Sequence, residues 1–253
     1  MTLPLPYAIT PEPAPRLGLV TLQSDLTIEG DMRRLLPERA ELLVSRVPSA
    51  AEVSSDSLAQ MEHHLTAAAA LFPEGAAFDV VGYGCTSGTA QIGAARIAER
   101  VKAGCDTAHV SEPVSGLIAC CRALGLARVG FVSPYVEEVS DNLRRVLAEA
   151  DIATPAFGSF DVAEEARVAR IDGDSILAAG ETVARDAGLD GLFLSCTNLR
   201  TLDVIAPLEA RLGIPVLSSN LVLAADMLAR CPGDAYAGAT PALHLARLIQ
   251  RGA

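Results

Sequence analysis

Two stretches of the chain repeat one another. Asp79-Val-Val-Gly-Tyr-Gly-Cys85-Thr86 and Asp190-Gly-Leu-Phe-Leu-Ser-Cys196-Thr197 are both apolar runs that close on Cys-Thr. The repeat extends upstream, where Arg16-Leu17-Gly18-Leu19-Val20 matches Arg128-Val129-Gly130-Phe131-Val132. Gly18 precedes Cys85 by 67 residues, and Gly130 precedes Cys196 by 66. Two matched pairs at nearly one spacing constrain the fold to a duplication, with halves related by a pseudo-twofold axis.

Within each half the pattern is that of a mainly parallel sheet. Strand-like runs at 17–22, 40–47, 78–84, 107–111, 129–133, 191–195 and 215–218 alternate with helical patterns at about 55–71, 88–103, 114–125, 136–150, 174–187, 199–212, 221–230 and 240–250. The predicted class is α/β, with two lobes that are each a mainly parallel sheet flanked by helices. The first lobe covers about 1–115 and is joined by C-terminal helices from 221 to 253; the second covers 116–220. Ligands of open α/β sheets bind outside the carboxyl ends of the strands. In a pseudo-twofold pair those ends, carrying Cys85 and Cys196, face one another across a cleft. Pro207 within the predicted helix 199–212 costs a hydrogen bond unless the helix starts shortly before it or bends there.

Composition narrows the function. The chain has 253 residues, half of them hydrophobic, enough to bury a core. A net charge of −11 with scattered basic residues argues against a nucleic-acid partner. No apolar run reaches the roughly 18 residues of a membrane span. The proline-rich start (residues 1–15) reads as a loose arm rather than a signal peptide, so a cytoplasmic protein without a membrane partner is expected. Six cysteines without a CxxC, and four histidines without ligand spacing, predict free thiols and no metal. Gly82-Tyr-Gly84 lacks the third glycine and distant acid of a dinucleotide site, and no cofactor is predicted.

The chemistry therefore falls to Cys85 and Cys196. Cys85 is followed by Thr86, Ser87 and Gly88, and Cys196 by Thr197 and Asn198, residues able to start a helix. A thiol at a helix N-terminus has its thiolate favoured by the dipole and free N–H groups, and the same N–H groups attract a carboxylate. Two opposed thiols suit proton transfer or addition on the two faces of a carbon. Cys105, Cys120, Cys121 and Cys231 read as packing residues, His63-His64 as a solvent-facing pair, and Glu137-Glu138 as a helix first turn. Asn220 is either a cleft residue or a cap.

The two cysteines, the segment Ser195-Cys196-Thr197-Asn198-Leu199-Arg200-Thr201-Leu202-Asp203, the strand Gly213-Ile-Pro-Val-Leu-Ser-Ser219 and the turn Val132-Ser133-Pro134-Tyr135 together resemble the aspartate/glutamate racemase superfamily. Within it the closest branch is that of maleate cis–trans isomerase, arylmalonate decarboxylase and their ectoine-utilisation relatives. The resemblance runs from about Arg16 to Gly233. It implies that Cys85 attacks the substrate carbon while Cys196 is the opposed acid or base. It also implies that Thr86, Ser87, Tyr135 and the N–H groups of Cys196 and Thr197 hold the carboxylates of a small carboxylic acid. The activity it implies first is maleate cis–trans isomerisation, followed by an ectoine-catabolic or amino/ureido-acid racemase role and then by malonate decarboxylation. Arylmalonate decarboxylases carry a small residue in place of the first cysteine, so Cys85 argues against decarboxylation. A carboxylate-binding protein without turnover is the alternative of another class. Homo-oligomers are common in such superfamilies, and one is expected here.

One departure stands out. Where maleate isomerases carry a Pro-Ser-Ser-Asn loop whose Asn contacts substrate, this chain has Thr21-Leu22-Gln23-Ser24-Asp25. Asp25 either caps the helix holding Ile28 and Met32 or meets a substrate bearing an amino, amide or ureido group.

Overall fold

A computed structural model describes residues 3, 5–9, 15–185, 188–231 and 238–252. Most of the expected arm of residues 1–15, the end of the helix expected to reach 187, and Gly233 lie outside the described residues. The chain forms two four-stranded sheets. The first contains β1 (Arg16–Leu22), β2 (Glu41–Val47), β3 (Ala77–Gly84) and β4 (Asp106–Ser111), in the order β2-β1-β3-β4. The second contains β5 (Val129–Ser133), β6 (Phe157–Ser159), β7 (Gly191–Leu194) and β8 (Val216–Ser218), in the order β6-β5-β7-β8. Every pairing between these strands is parallel.

The duplication holds at the level of register. Gly18 lies opposite Val81 and Gly130 opposite Leu192, so each glycine pairs with the residue at the same distance before its cysteine. The same carboxylate-to-backbone bond ties the strand starts together in both halves. Asp79 accepts from the Arg16 N–H at 2.8 Å, and Asp190 from the Arg128 N–H at 2.8 Å. β5 and β7 are buried along their whole length, which explains why they read as continuous apolar runs rather than alternating ones.

The halves are joined through helices rather than by sheet pairing. The helix Ser219–Ala229 is buried over nearly its whole length and lies against the helix Pro113–Leu124. A Cβ on Gly116 would sit 2.5 Å from the Val222 carbonyl oxygen, so only glycine permits this approach. One core cluster accordingly includes Leu17, Leu19 and Val80 from the first sheet with Phe131, Phe193 and Leu217 from the second. Cys120, Cys121 and Cys231 belong to this cluster.

Several element boundaries differ from the sequence reading. The expected helix 55–71 is two helices, Ser55–Gln60 and Glu62–Ala69, and 88–103 is Thr86–Ile92 followed by Ala94–Lys102, turning at Gly93 with φ of 90°. The helix Leu202–Leu212 contains Pro207 and starts later than residue 199. β6 and the short helix Glu165–Val168 went unread. Both are too short to show a period. No helix among the described residues is long and apolar enough to cross a membrane.

Candidate active site

β3 ends at Gly84 and delivers Cys85 to the start of the helix Thr86–Ile92 in extended conformation. Its Sγ accepts the Gly88 N–H at 3.2 Å, so the thiol itself caps the helix. Thr86 and Ser87 are buried in the first turn. Gly88 is required here: a Cβ would lie 2.9 Å from Cys85 Sγ and 2.6 Å from the Tyr83 hydroxyl.

Cys196 is held differently. It follows β7 and Ser195 with φ of 100°, left-handed backbone that L residues avoid at a cost of about 1–3 kcal/mol. The kink corrects the expectation of a helix N-terminus at this cysteine. Residues 197–201 form an irregular turn and the helix begins only at Leu202. The turn is pinned by its own polar groups. The Thr197 hydroxyl donates to the Gly84 carbonyl at 3.3 Å, and Asn220 Nδ2 donates both to the Thr197 carbonyl and to Asp31 Oδ2 at 2.8 Å. Asn220 thus braces the turn, while Ser218 caps its helix. Cys196 Sγ accepts the Asn198 N–H at 3.3 Å. The Cys196 N–H is engaged by Ser219 Oγ at 2.9 Å, and the Thr86 hydroxyl donates to the same oxygen at 2.7 Å. One serine therefore bridges the two cysteine segments, and the Cys196 N–H does not stand open to a ligand carboxylate.

Tyr135 reaches Cys196 Sγ at 3.0 Å and donates its hydroxyl proton to Glu165 Oε1 at 2.6 Å. A phenol has one proton, so in this arrangement the thiol is the donor toward Tyr135. Glu165 Oε2 accepts from Asn198 Nδ2 at 2.6 Å, and Asn198 Oδ1 accepts the Leu26 N–H at 2.9 Å. That places the Asp25 loop beside the Cys196 turn. Asp25 Oδ1 accepts the N–H groups of Thr27 and Ile28 at 2.8 Å each, at the start of the helix Ile28–Leu35. The capping alternative thus describes one oxygen. Oδ2 is buried without a hydrogen bond of normal geometry among the described residues, and the Thr197 hydroxyl bears on the carboxyl against the effect of burial.

The electrostatics reverse the expectation of acidic thiols. Burial pushes Cys85 up to about 12 and Cys196 well above the ordinary thiol range, and the nearby carboxylates of Glu165 and Asp25 add to both effects. The N–H groups of Gly88 and Asn198 pull the other way but do not offset desolvation. Cys85 is 5% exposed and Cys196 4%. The closed site therefore rests with both thiols protonated. Burial also raises Asp25 and Glu165.

Of the residues singled out from sequence, Cys85, Thr86 and Ser87 share one helix start, while Cys196, Thr197 and Tyr135 gather at the facing turn with Asp25 within electrostatic reach of both thiols. Sequence reasoning missed Tyr83, Glu165 and Ser219. Tyr83 and Ser219 lay inside quoted motifs and could have been found by their position at strand ends. Glu165 opens the short helix Glu165–Val168 and carried no signal. His63 and His64 are exposed.

Residues 49–243 match the family described as arylmalonate decarboxylase. Over 102 residues the chain is 35% identical to an arylmalonate decarboxylase of Bordetella bronchiseptica, a match spanning 39% of this chain and 42% of that protein. It is 27% identical over 229 residues to a maleate isomerase of Nocardia farcinica, covering 81% of this chain and 85% of that one. A solved structure of Nocardia farcinica maleate cis–trans isomerase, a mutant with a covalently bound succinylcysteine intermediate, is similar with a TM-score of 0.75. Its identity is 25%, covering 94% of this chain and 98% of that chain.

Proposed function

Because the chain belongs to the arylmalonate decarboxylase family, in the branch of the aspartate/glutamate racemase superfamily that includes maleate isomerases, we propose that it is a cofactor-independent isomerase or racemase of a small carboxylic acid, working through Cys85 and Cys196. The observation that carries this reading is the pair of buried thiols at equivalent strand ends of the two repeats, linked by Ser219. The cysteine-bound intermediate of the Nocardia farcinica enzyme supports a covalent or proton-transferring role for thiols in this fold.

The hydrogen bonds give Cys196 a route to its thiolate. As Cys196 passes its proton to the Tyr135 oxygen, Tyr135 passes its own to Glu165; the negative charge moves from carboxylate to sulfur and none is created. A Cys196 thiolate can remove a proton from a carbon next to the substrate carboxyl while the Cys85 thiol returns one to the opposite face, which inverts that centre. With an unsaturated acid, the thiolate of one cysteine adds to the double bond and the thiol of the other protonates the neighbouring carbon. Rotation and reversal then give the other isomer. Thr86, Ser87 and the first-turn N–H groups near Cys85 are the groups that hold the carboxylate in either route.

The test is proton NMR in D2O with maleate, aspartate, glutamate, a hydantoin, phenylmalonate and ectoine-derived acids. Conversion of maleate to fumarate, or deuterium entry at a stereocentre, is expected and should vanish in Cys85→Ala and in Cys196→Ala. Full activity in either variant would end the two-thiol reading.

A further inference from the structure

The stretch Leu3-Pro4-Leu5-Pro6-Tyr7-Ala8-Ile9 alternates large apolar residues with proline or alanine. In an extended chain successive side chains point to opposite faces, so Leu3, Leu5, Tyr7 and Ile9 share one face. The N–H and C=O of one residue point to one edge of a strand and those of the next residue to the other. Pro4 and Pro6 therefore remove donors from one edge only, and the edge formed by residues 3, 5, 7 and 9 keeps every backbone group. This is the pattern of a strand with one edge for pairing and one closed by proline. Its apolar face is uncovered: Leu3, Leu5, Tyr7 and Ile9 are 80–85% exposed. Apart from Leu26 and Leu71, the other exposed large apolar side chain among the described residues is Val44, on β2.

β2 is an edge strand that pairs with β1 alone. The Val47 carbonyl accepts the Gln23 N–H at 2.9 Å, which turns the backbone groups of residues 41, 43, 45 and 47 toward β1 and those of Leu42, Val44 and Arg46 outward. Its 7 residues contain neither proline nor glycine to blunt that edge, and Leu3–Ile9 matches it in length. Antiparallel alignment sets arm residues directly opposite Leu42, Val44 and Arg46 in hydrogen-bonded pairs, and the side chains of such pairs fall on one face. The arm's apolar face then lies beside Leu42 and covers Val44. A parallel alignment offsets the pairs by one and leaves Val44 uncovered.

The seven steps from Ile9 to Arg16 span at most about 25 Å, enough for the arm to reach its own β2, yet in the single chain both surfaces stand open. We propose that a second copy closes them. Leu3–Ile9 of each chain adds as an antiparallel strand to the β2 edge of the other, a reciprocal exchange with twofold symmetry. No charged side chain occurs from Met1 to Pro11, so the arm meets a body of net charge −11 without the repulsion of two acidic bodies pressed together. Pro4 and Pro6 face away from β2 and stop a further strand from adding, so the assembly closes at two.

Sedimentation velocity of the full chain at micromolar concentration tests the exchange. The protein should be a dimer, and the double variant Leu5→Asp with Tyr7→Asp a monomer. Both side chains are exposed in the single chain, so circular dichroism and urea unfolding of the body should not change. Ala8→Pro takes a donor from the open edge of the arm and should leave the dimer dissociation constant within twofold, whereas Leu5→Pro takes one from the paired edge and should raise it at least tenfold. With Tyr7 replaced by the photo-crosslinker p-benzoylphenylalanine in a mixture of isotopically light and heavy chains, peptide mass spectrometry should find light-to-heavy crosslinks on Glu41–Val47. A monomer at these concentrations, a dimer that survives the double variant, or equal effects of the two proline variants overturns the proposal. So do crosslinks confined to a single chain, which would put the arm on its own body, and crosslinks to surfaces away from β2.

Discussion

Replacing Asp31 by asparagine should change how the stability of the protein depends on pH. Asp31 is buried on the helix Ile28–Leu35, and its Oδ2 accepts from Asn220, which in turn braces the Cys196 turn. Burial raises its carboxyl from 3.8 to about 6, opposed by the Asn220 hydrogen bond. A carboxyl raised in the folded state contributes stability that is full below its unfolded pKa and is lost as pH rises through the folded one. At ~1.4 kcal/mol per pKa unit, the gap between 3.8 and about 6 amounts to about 3 kcal/mol lost by neutral pH. Roughly half of that loss has already occurred at pH 5, and nearly all by pH 7. Asparagine keeps an acceptor for Asn220 and cannot ionise. The stability of Asp31→Asn relative to the parent should therefore improve by roughly 1.4 kcal/mol between pH 5 and pH 7.5, whatever constant offset the substitution brings. Urea denaturation at four or five pH values measures this, since acids that do not face Asp31 contribute equally to both proteins and Asp25 and Asp203 bear on it less than burial does. Two curves that run parallel within ~0.3 kcal/mol would refute the assignment of a raised, buried carboxyl to Asp31.

Glu165→Gln should leave the fold intact and shift the alkaline-going limb of the pH–rate profile upward, because Cys196 loses its proton acceptor; an unchanged profile would exclude the relay through Tyr135. Gly88→Ala should cost ~1–3 kcal/mol on thermal or urea unfolding and suppress turnover, since the new methyl meets Cys85 Sγ, the Tyr83 hydroxyl and Met61. Cys196→Gly and Cys196→Ala should both be inactive, but the glycine variant should be the more stable by about 1 kcal/mol in urea, because it alone relieves the left-handed backbone.

The duplication was legible because strands buried on both faces must be continuously apolar, and two such runs closing on Cys-Thr leave a mark that chance does not produce. The register of Gly18 with Val81 and Gly130 with Leu192 is the same fact in three dimensions. The thiols' setting was less legible. A helix start after Cys196 was expected from Thr197 and Asn198, yet both side chains are drawn to partners distant in sequence, Gly84 and Glu165, and the turn they make delays the helix to Leu202. The pKa direction failed for a related reason: the N–H groups that favour a thiolate are local and visible in sequence, whereas burial is a property of the assembled halves. Glu165 was invisible because its only distinction is tertiary. The antiparallel contact of Glu52 with Glu164, with Val53 N–H on the Ala163 carbonyl and Glu165 N–H on the Ala51 carbonyl, draws an otherwise ordinary surface acid inside.

The bridge made by Ser219 joins two cysteine segments that are alike in register and unlike in surroundings: Cys85 beneath a helix start beside Tyr83, Cys196 in a kink beside Tyr135 and Glu165. A homodimer of half-length chains would be obliged to present the same group on each side of a bound carbon, because any substitution would appear twice. Covalent fusion of the halves lifts that obligation. On the proposed two-thiol mechanism, one side is then free to become the proton-relaying sulfur and the other the helix-seated one. A molecule lying between them meets two different hands, so turnover from one stereoisomer need not share the pH dependence or the rate-limiting step of turnover from the other.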